Sequence, residues 1–138
     1  MNIRSYQPDD KEAVIHLWRE CGFVAPQNNP AKDIERKLKV NPEWFLVGEL
    51  ADKIIASCMA GYEGHRGWVN YLAVTPEQQG KGYARQMMQA LELRLLEAGC
   101  PKINLLVRET NIDVLRFYEA LGYQADACVS MGKRLIPD

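Results

Sequence analysis

Apolar residues recur with two different periods along the chain, and each period predicts a different kind of element. The first element is a short strand at residues 2–6. A helix follows, because Asp9 and Glu12 have the spacing of a capping box and the apolar side chains after them recur every three to four residues. A second helix is predicted after Asn29 and Pro30, since asparagine is a favoured N-cap and proline is favoured at the first helical position.

The middle of the chain reads as three strands. Residues 44–50 and 54–60 are rich in apolar and β-branched side chains and are separated by a short polar turn at Asp52 and Lys53. This arrangement predicts an antiparallel hairpin. A glycine-rich polar segment then leads into a fourth strand at residues 68–74.

A long amphipathic helix occupies residues 84–98, and Gly99 is well placed to end it. Residues 103–107 are apolar and predict a buried fifth strand, after which Asn111 caps a last helix. Residues 123–135 are expected to supply one or two final strands. The order of elements predicts a mixed α/β (α+β) fold.

Composition narrows the range of functions. The chain has 138 residues, with 17 basic and 18 acidic side chains and a net charge of −1, so no global field attracts it to nucleic acid or to an anionic membrane. No apolar run reaches the roughly 20 residues that a membrane-spanning helix needs, and the N-terminus lacks the pattern of a signal peptide. We therefore expect a cytoplasmic protein that binds neither nucleic acid nor membrane.

The cysteines carry little functional signal. Cys21, Cys58, Cys100 and Cys128 are widely spaced and form no C-x-x-C pair. Buried, reduced thiols are the expectation, rather than a metal site or a set of disulfides.

The junction between the fourth strand and the long helix is the most informative segment. Gly80 and Gly82 stand where the chain enters the helix, and glycines there let the backbone approach a ligand closely. The first N–H groups of a helix, together with its dipole, form a site for an anion. Lys81 and Arg85 add positive charge, although each alone could be an ordinary solvated side chain. The junction predicts a phosphate-binding site.

The spacing of the glycines in this loop can be compared with known phosphate-binding motifs. It is neither a Gly-x-Gly-x-x-Gly dinucleotide motif nor a Gly-x-x-x-x-Gly-Lys-Ser/Thr loop. Residues 79–84, Gln-Gly-Lys-Gly-Tyr-Ala, resemble the Gln/Arg-x-x-Gly-x-Gly/Ala loop of the GNAT superfamily of N-acetyltransferases, which binds the pyrophosphate of coenzyme A. Residues 107–111 and 117–123 resemble that family's Asn…Tyr-Glu-x-Leu-Gly-Phe/Tyr segment, and residues 61–67 resemble its bacterial YpeA-type subgroup.

The resemblance implies a fold and an activity. The fold would be a single N-acetyltransferase domain over residues 1–138, with a central, mostly antiparallel sheet, splayed fourth and fifth strands and about four helices. The activity would be transfer of an acetyl group from acetyl-coenzyme A to a primary amine, on a small metabolite or a protein N-terminus, without a metal. The acceptor amine, the preferred acyl chain and a possible homodimer stay undetermined.

The resemblance also implies which residues bind the cofactor. In the family, the pantetheine arm pairs with the backbone at the end of the fourth strand, and the pyrophosphate lies on the glycine loop. The residues carried over are Leu72, Ala73, Val74, Gln79, Gly80, Lys81, Gly82, Tyr83, Ala84, Arg85 and Asn111. Asn111 reads equally well as an N-cap.

Tyr118 carries over as the general acid. A phenol near the sulfur can stabilise or protonate the thiolate that leaves when the tetrahedral intermediate collapses. The alternative is a packing role for the Tyr118 ring beside Phe117.

The resemblance does not imply which residue accepts the proton of the amine. The positions where many relatives have a catalytic glutamate hold Trp68 and Leu106 here. Glu63 and His65, between the third and fourth strands, are the substitutes, because an imidazole titrates near neutral pH and a carboxylate can act through water. A surface turn with a local ion pair is the alternative for this segment. The missing glutamates also leave open a non-catalytic acyl-coenzyme A sensor, or an interaction protein that dimerises through an exposed strand.

Overall fold

In the computed structural model, which describes residues 1–138 in full, five strands form one mixed sheet. The strands are β1 (Asn2–Ser5), β2 (Phe45–Leu50), β3 (Lys53–Tyr62), β4 (Gly67–Val74) and β5 (Ile103–Leu105). They lie in the order β1-β2-β3-β4-β5, and every neighbouring pair is antiparallel except β4 and β5, which are parallel. The mixed α/β class expected from the sequence is confirmed.

Four α-helices accompany the sheet: α1 (Lys11–Glu20), α2 (Pro30–Lys37), α3 (Tyr83–Glu97) and α4 (Ile112–Ala120). The predicted cap of α2 is present, since the Asn29 side chain accepts a hydrogen bond from the Lys32 N–H at 3.1 Å. The predicted stop of α3 is also present. Gly99 has φ +87°, and the N–H of Cys100 turns back to the Leu95 carbonyl.

Two boundaries differ from the prediction for local reasons. The hairpin turn consists of Ala51 and Asp52, both with positive φ, and Lys53 already pairs with Leu50. At the start of α1, the expected capping box at Asp9 and Glu12 is wrong. The Asp10 carboxylate instead accepts the Gln7 N–H at 2.8 Å, because a short 3-10 turn at Pro8–Asp10 precedes the helix.

A column of aromatic rings runs through the core. Tyr6 stacks on Phe45 with 4.4 Å between ring centroids, Phe45 faces Trp18 at 6.2 Å, and Trp18 stacks on Tyr71 at 4.1 Å. Trp18 is fully buried, and its indole N–H donates to the Ser57 hydroxyl at 3.0 Å. The column therefore fixes α1 against β2, β3 and β4 with both apolar contact and a satisfied polar group.

Backbone contacts divide the chain into two units, Met1–Leu105 and Leu106–Asp138. The first contains the whole sheet and α1 to α3. The second contains α4, which ends at Gly122 in the left-handed conformation as the Tyr123 N–H returns to the Tyr118 carbonyl.

The prediction of one or two final strands at residues 123–135 is wrong. Val129 and Met131 have the alternation typical of a strand, but their exposed fractions are 87% and 91%. The local pattern reports β-propensity, whereas a strand also needs a partner that supplies hydrogen bonds. β5 is likewise shorter than predicted and half-buried, with Leu106 outside it and 69% exposed.

The thiols follow the expectation only in part. Cys58 and Cys100 are buried and Cys21 is half-buried, but Cys128 is exposed. Complete burial raises the pKa of Cys58 to about 12, so this thiol stays protonated and unreactive at neutral pH. None of the helices is both long and apolar enough to cross a membrane.

An ion-pair network fixes β1 to the start of α1. The Arg4 guanidinium donates to both carboxylate oxygens of Asp10, at 2.7 and 2.9 Å, and it also contacts Glu49 on β2. The Arg4 guanidinium holds the pKa of the Asp10 carboxyl below its usual range. Because this pKa is lowered by folding, the stabilisation is fully present above the unfolded-state pKa and is lost as the pH falls through the folded-state pKa.

We predict that Asp10→Asn lowers the free energy of unfolding by about 2 kcal/mol at pH 7, since a bidentate, charge-assisted contact is removed. Asp9→Asn is the matched control, because Asp9 is the exposed neighbour. The difference between wild type and Asp10→Asn should shrink as the pH falls below about 4, near the reference pKa of aspartate. Urea denaturation at several pH values measures it, and equal stability of the two variants at pH 7 would contradict the assignment.

Candidate functional site

β4 and β5 pair over only the first part of β4. Gly67, Trp68 and Val69 lie opposite β5, which ends at Leu105, while β4 continues to Val74. The splay of the fourth and fifth strands expected from the sequence is therefore confirmed. No strand of the sheet pairs with the outer edge of β4 after Val69.

A change in backbone direction makes this edge available. The N–H of Gly67 donates to Lys102, on the side of β5, but the N–H of Thr75 donates to Ile55, on the side of β3. These two residues are separated by an even number of positions, so a regular strand would direct both groups to the same edge. As Thr75 points toward β3, the N–H and C=O of its neighbour Val74 point to the open edge.

The reversal is caused by a β-bulge. Ser57 pairs with Ala73 and Met59 pairs with Asn70, so β4 has one residue more than β3 between these pairs. Tyr71 lies inside the bulge with φ +54°. This conformation is an outlier for a bulky residue, and it costs on the order of 1–3 kcal/mol unless its surroundings compensate.

The end of β4 is tied to the glycine loop. The Gln79 side-chain amide donates to the Val74 carbonyl at 2.9 Å, and the Cys21 thiol approaches the same oxygen at 3.3 Å. Gln79 was predicted to contact the cofactor, and the structure gives its side chain a further role. It closes the turn that follows β4 and so connects the loop to the end of the strand.

The glycine loop has the geometry that its sequence predicts. Gly80 and Gly82 have φ +77° and +88°, where side chains other than glycine are strained. A Cβ atom at either position would meet nothing within 4 Å. The glycines are therefore required by backbone conformation rather than by crowding, and the space in front of them is open.

The first turn of α3 lies directly behind these glycines. Gly82 is its N-cap and contributes no side-chain hydrogen bond, and the first backbone bond of the helix runs from Gln86 to Gly82. The N–H groups of the three preceding residues, Tyr83, Ala84 and Arg85, thus have no acceptor within the helix. With the positive end of the dipole of a 15-residue helix, they make this turn favourable for a negatively charged group.

Two cations accompany this site. Lys81 is exposed, and its ammonium group donates to the Gln78 side chain at 3.0 Å. Arg85 is exposed on the first turn of α3. Histidine, cysteine and acidic side chains do not come together in any group of three or more.

Asn111 and Tyr118 belong to the unit of residues 106–138. The Asn111 side chain accepts the Val114 N–H at 3.4 Å, which confirms its reading as an N-cap of α4. Tyr118 is buried, and its ring makes edge contacts with Phe117 at 5.0 Å and Tyr123 at 5.5 Å. The catalytic role of Tyr118 and the cofactor contact of Asn111 stay predictions.

The segment that contains Glu63 and His65 forms an ordered turn between β3 and β4. One Glu63 carboxylate oxygen accepts the N–H groups of His65 and Arg66, at 3.0 and 2.6 Å. The hydrogen bond from Arg66 is the main cause that lowers the pKa of Glu63, which makes it a weaker base. The Tyr62 hydroxyl contacts the Gly99 carbonyl at the C-terminal end of α3.

The position of this turn also weighs against a role in proton transfer. It precedes Gly67, at the start of β4, whereas the glycine loop follows Val74 at the other end. At about 3.3 Å per residue, these two ends of β4 are roughly 23 Å apart. The role of Glu63 and His65 as proton acceptors stays a prediction, and the site's geometry favours the structural reading of this turn.

Sequence reasoning missed the residues that hold the bulge. The Tyr71 hydroxyl donates to an Asp33 carboxylate oxygen at 2.6 Å, and the Asn28 side chain donates to the Tyr71 oxygen at 3.0 Å. Tyr71 looks like an ordinary strand residue because strands favour aromatic side chains. Nothing in a single sequence marks a positive φ at a tyrosine, so this contact between β4 and α2 could not be anticipated.

Comparisons with known proteins agree with this geometry. The sequence profile of the acetyltransferase (GNAT) family matches residues 11–123. An acetyltransferase of Pectobacterium atrosepticum is 49% identical over 138 residues, which cover 100% of this chain and 98% of the relative.

Solved structures share the fold at low sequence identity. The aminoglycoside antibiotic 6'-N-acetyltransferase AAC(6')-IG of Acinetobacter haemolyticus superposes with a TM-score of 0.73 at 15% identity, covering 99% of each chain. AAC(6')-Iy, solved in complex with the bisubstrate analogue CoA-S-monomethyl-acetylneamine, superposes with a TM-score of 0.79 at 17% identity. That alignment covers 96% of this chain and 97% of the other.

Proposed function

Since the chain belongs to the acetyltransferase (GNAT) family, we propose that it transfers an acetyl group from acetyl-coenzyme A to a primary amine. The acceptor is an amine of a small metabolite or a protein N-terminus. The observation that carries the proposal is the uncapped first turn of α3 behind Gly80 and Gly82, next to the open edge of β4. This arrangement suits a ligand with a pyrophosphate group joined to an extended chain of amides.

The start of α3 and the edge of β4 would bind different parts of the cofactor through different interactions. The N–H groups of Tyr83, Ala84 and Arg85 would receive the pyrophosphate, assisted by the charges of Lys81 and Arg85. The backbone of residues 72–74 would pair with the amides of the pantetheine arm, as an added strand does at a sheet edge. No metal is needed, because helix dipole and side-chain cations together balance the charge.

In the reaction, the acetyl group passes from the sulfur of coenzyme A to the nitrogen of the acceptor amine. The neutral amine attacks the thioester carbonyl, the tetrahedral intermediate expels the thiolate, and the ammonium proton passes to a base or to water. Tyr118 would stabilise or protonate the leaving thiolate. An amine with a pKa of about 10.4 is mostly protonated at pH 7, and this handicap amounts to roughly 4–5 kcal/mol at 1.36 kcal/mol per pH unit. A proton acceptor, or an acceptor amine with a lowered pKa, therefore has a large effect on the rate.

We predict that Gly82→Asp weakens acetyl-coenzyme A binding at least about tenfold, since it adds a carboxylate and a strained backbone where the pyrophosphate would lie. Gly99→Asp is a closely matched control. Gly99 has φ +87° and open surroundings like Gly82, but it lies at the opposite end of α3. Calorimetry on both folded variants measures the effect. Equal affinities in the two variants would remove the pyrophosphate assignment.

We predict that Tyr118→Phe lowers kcat on the order of 100-fold and changes the KM for acetyl-coenzyme A much less, because only the contact with the leaving group is lost. Tyr123→Phe is the control, as it removes a hydroxyl from a ring that packs against Tyr118. Release of the thiol is followed with an amine library that has first identified an acceptor for wild type. Full activity of Tyr118→Phe would return this residue to a packing role.

The role of the Glu63–His65 turn is tested by His65→Ala and Glu63→Gln. A proton acceptor should depress kcat most at low pH, with recovery as rising pH supplies free amine. Given its position at the far end of β4, we expect both variants to keep wild-type rates from about pH 6 to about pH 9, a window that spans the reference pKa of histidine. A selective loss of rate below pH 7 in both variants would instead establish the turn as the base.

The alternatives predict different results for the unmodified protein. A non-catalytic sensor would bind acetyl-coenzyme A but release no thiol with any amine of the library. An interaction protein with a vestigial site would fail to bind acetyl-coenzyme A at all.

A further inference from the structure

We propose that Tyr71 is a positioning residue whose hydroxyl, held by Asp33 and Asn28, maintains the bulge that presents Leu72–Val74 to the pantetheine arm. The inference rests on the proposed use of this edge for acyl-coenzyme A binding. It adds three residues, from β4, from α2 and from the segment before α2, that the resemblance to the family does not assign.

The bulge decides which edge of β4 the backbone groups face. On the Gly67 side of the bulge, odd-numbered residues direct their N–H groups toward β5, and on the Thr75 side they direct them toward β3. If the bulge were lost, the alternation would run unchanged through the strand. Val74 would then turn its N–H toward β3, and the open edge would no longer offer this donor to a ligand.

The backbone conformation of the bulge is not one that its own residues favour. Tyr71 has φ +54°, a conformation that aromatic residues disfavour, so contacts elsewhere have to hold it. Its ring stacks on the buried Trp18 with an interplanar angle of 12° and meets Phe23 at 6.1 Å. These ring contacts restrict where the side chain lies, and the hydroxyl group fixes its position along the strand.

The partners of the hydroxyl are themselves fixed. The Asn28 side-chain oxygen Oδ1 accepts the Ala25 N–H at 2.6 Å, and the side-chain nitrogen Nδ2 also donates to the Phe23 carbonyl at 3.1 Å. Asp33 lies in the first turn of α2, where the helix dipole favours a carboxylate, and Arg36 approaches it at 3.5 Å. The phenol thus joins β4 to two elements whose geometry is set independently.

The experiment compares Tyr71→Phe and Asp33→Ala with wild type. Tyr71→Phe keeps the ring stack and removes the hydroxyl, whereas Asp33→Ala removes the acceptor of that hydroxyl together with the contact to Arg36. We expect each change to raise the Kd for acetyl-coenzyme A about tenfold, with little change in kcat at saturating cofactor. The double variant should bind no more weakly than Tyr71→Phe, because that change already removes the hydrogen bond to Asp33.

Tyr6→Phe is the matched control. Tyr6 is a buried tyrosine at the other end of the same aromatic column, so its hydroxyl can affect stability without reaching β4. All Kd values are measured by calorimetry well below each variant's Tm. Asp33→Asn, which keeps an acceptor oxygen, should recover most of the affinity lost in Asp33→Ala, and it decides the matter if Tyr71→Phe does not fold.

Amide hydrogen exchange in the absence of cofactor separates this inference from the proposed function. Faster exchange at residues 72–75 in Tyr71→Phe and Asp33→Ala, but not in Tyr6→Phe, would support the positioning role. Wild-type exchange together with wild-type Kd in the folded variants would overturn it. Absence of acetyl-coenzyme A binding by wild type would overturn the proposed function, and with it the role of Tyr71 in presenting the arm.

Discussion

After Val69, β4 runs without β5 beside it, and its backbone groups there have no partner strand on the outer edge. Unpaired backbone at a sheet edge is a liability in most proteins, because it invites pairing with other chains. Here the unpaired stretch is short, it ends in a tight loop, and the bulge determines which groups it presents. The helix that follows and the residues that brace Tyr71 all act on these few positions of β4.

The glycine loop converts the end of that strand into the start of a helix without a capping side chain. In most helices a serine, threonine, aspartate or asparagine satisfies the first N–H groups. Gly82 has no side chain that could do so, which leaves these groups available to an anion. The side chain of Gln79 connects the loop to Val74, the last residue of β4.

The parts of the structure that local chemistry controls could be predicted from the sequence. The stop of α3 at Gly99, the cap at Asn29 and the left-handed glycines at 80 and 82 each follow from the residue at that position. The absent final strands could not be predicted, since β-propensity at Val129 and Met131 does not reveal whether a partner strand is present. The brace on Tyr71 was also hidden, because it depends on residues more than 35 positions apart in the chain meeting across the fold.

The carbonyl of Val74 already receives two donors from within the protein, the Gln79 amide and the Cys21 thiol. The same residue turns its N–H to the open edge. An extended ligand that pairs there is therefore met by a donor, and it has to bring a carbonyl oxygen to that position rather than an amide hydrogen. The strand end therefore offers a donor but no free acceptor at Val74. A chain that pairs here is thus selected by where along its length it carries a carbonyl oxygen.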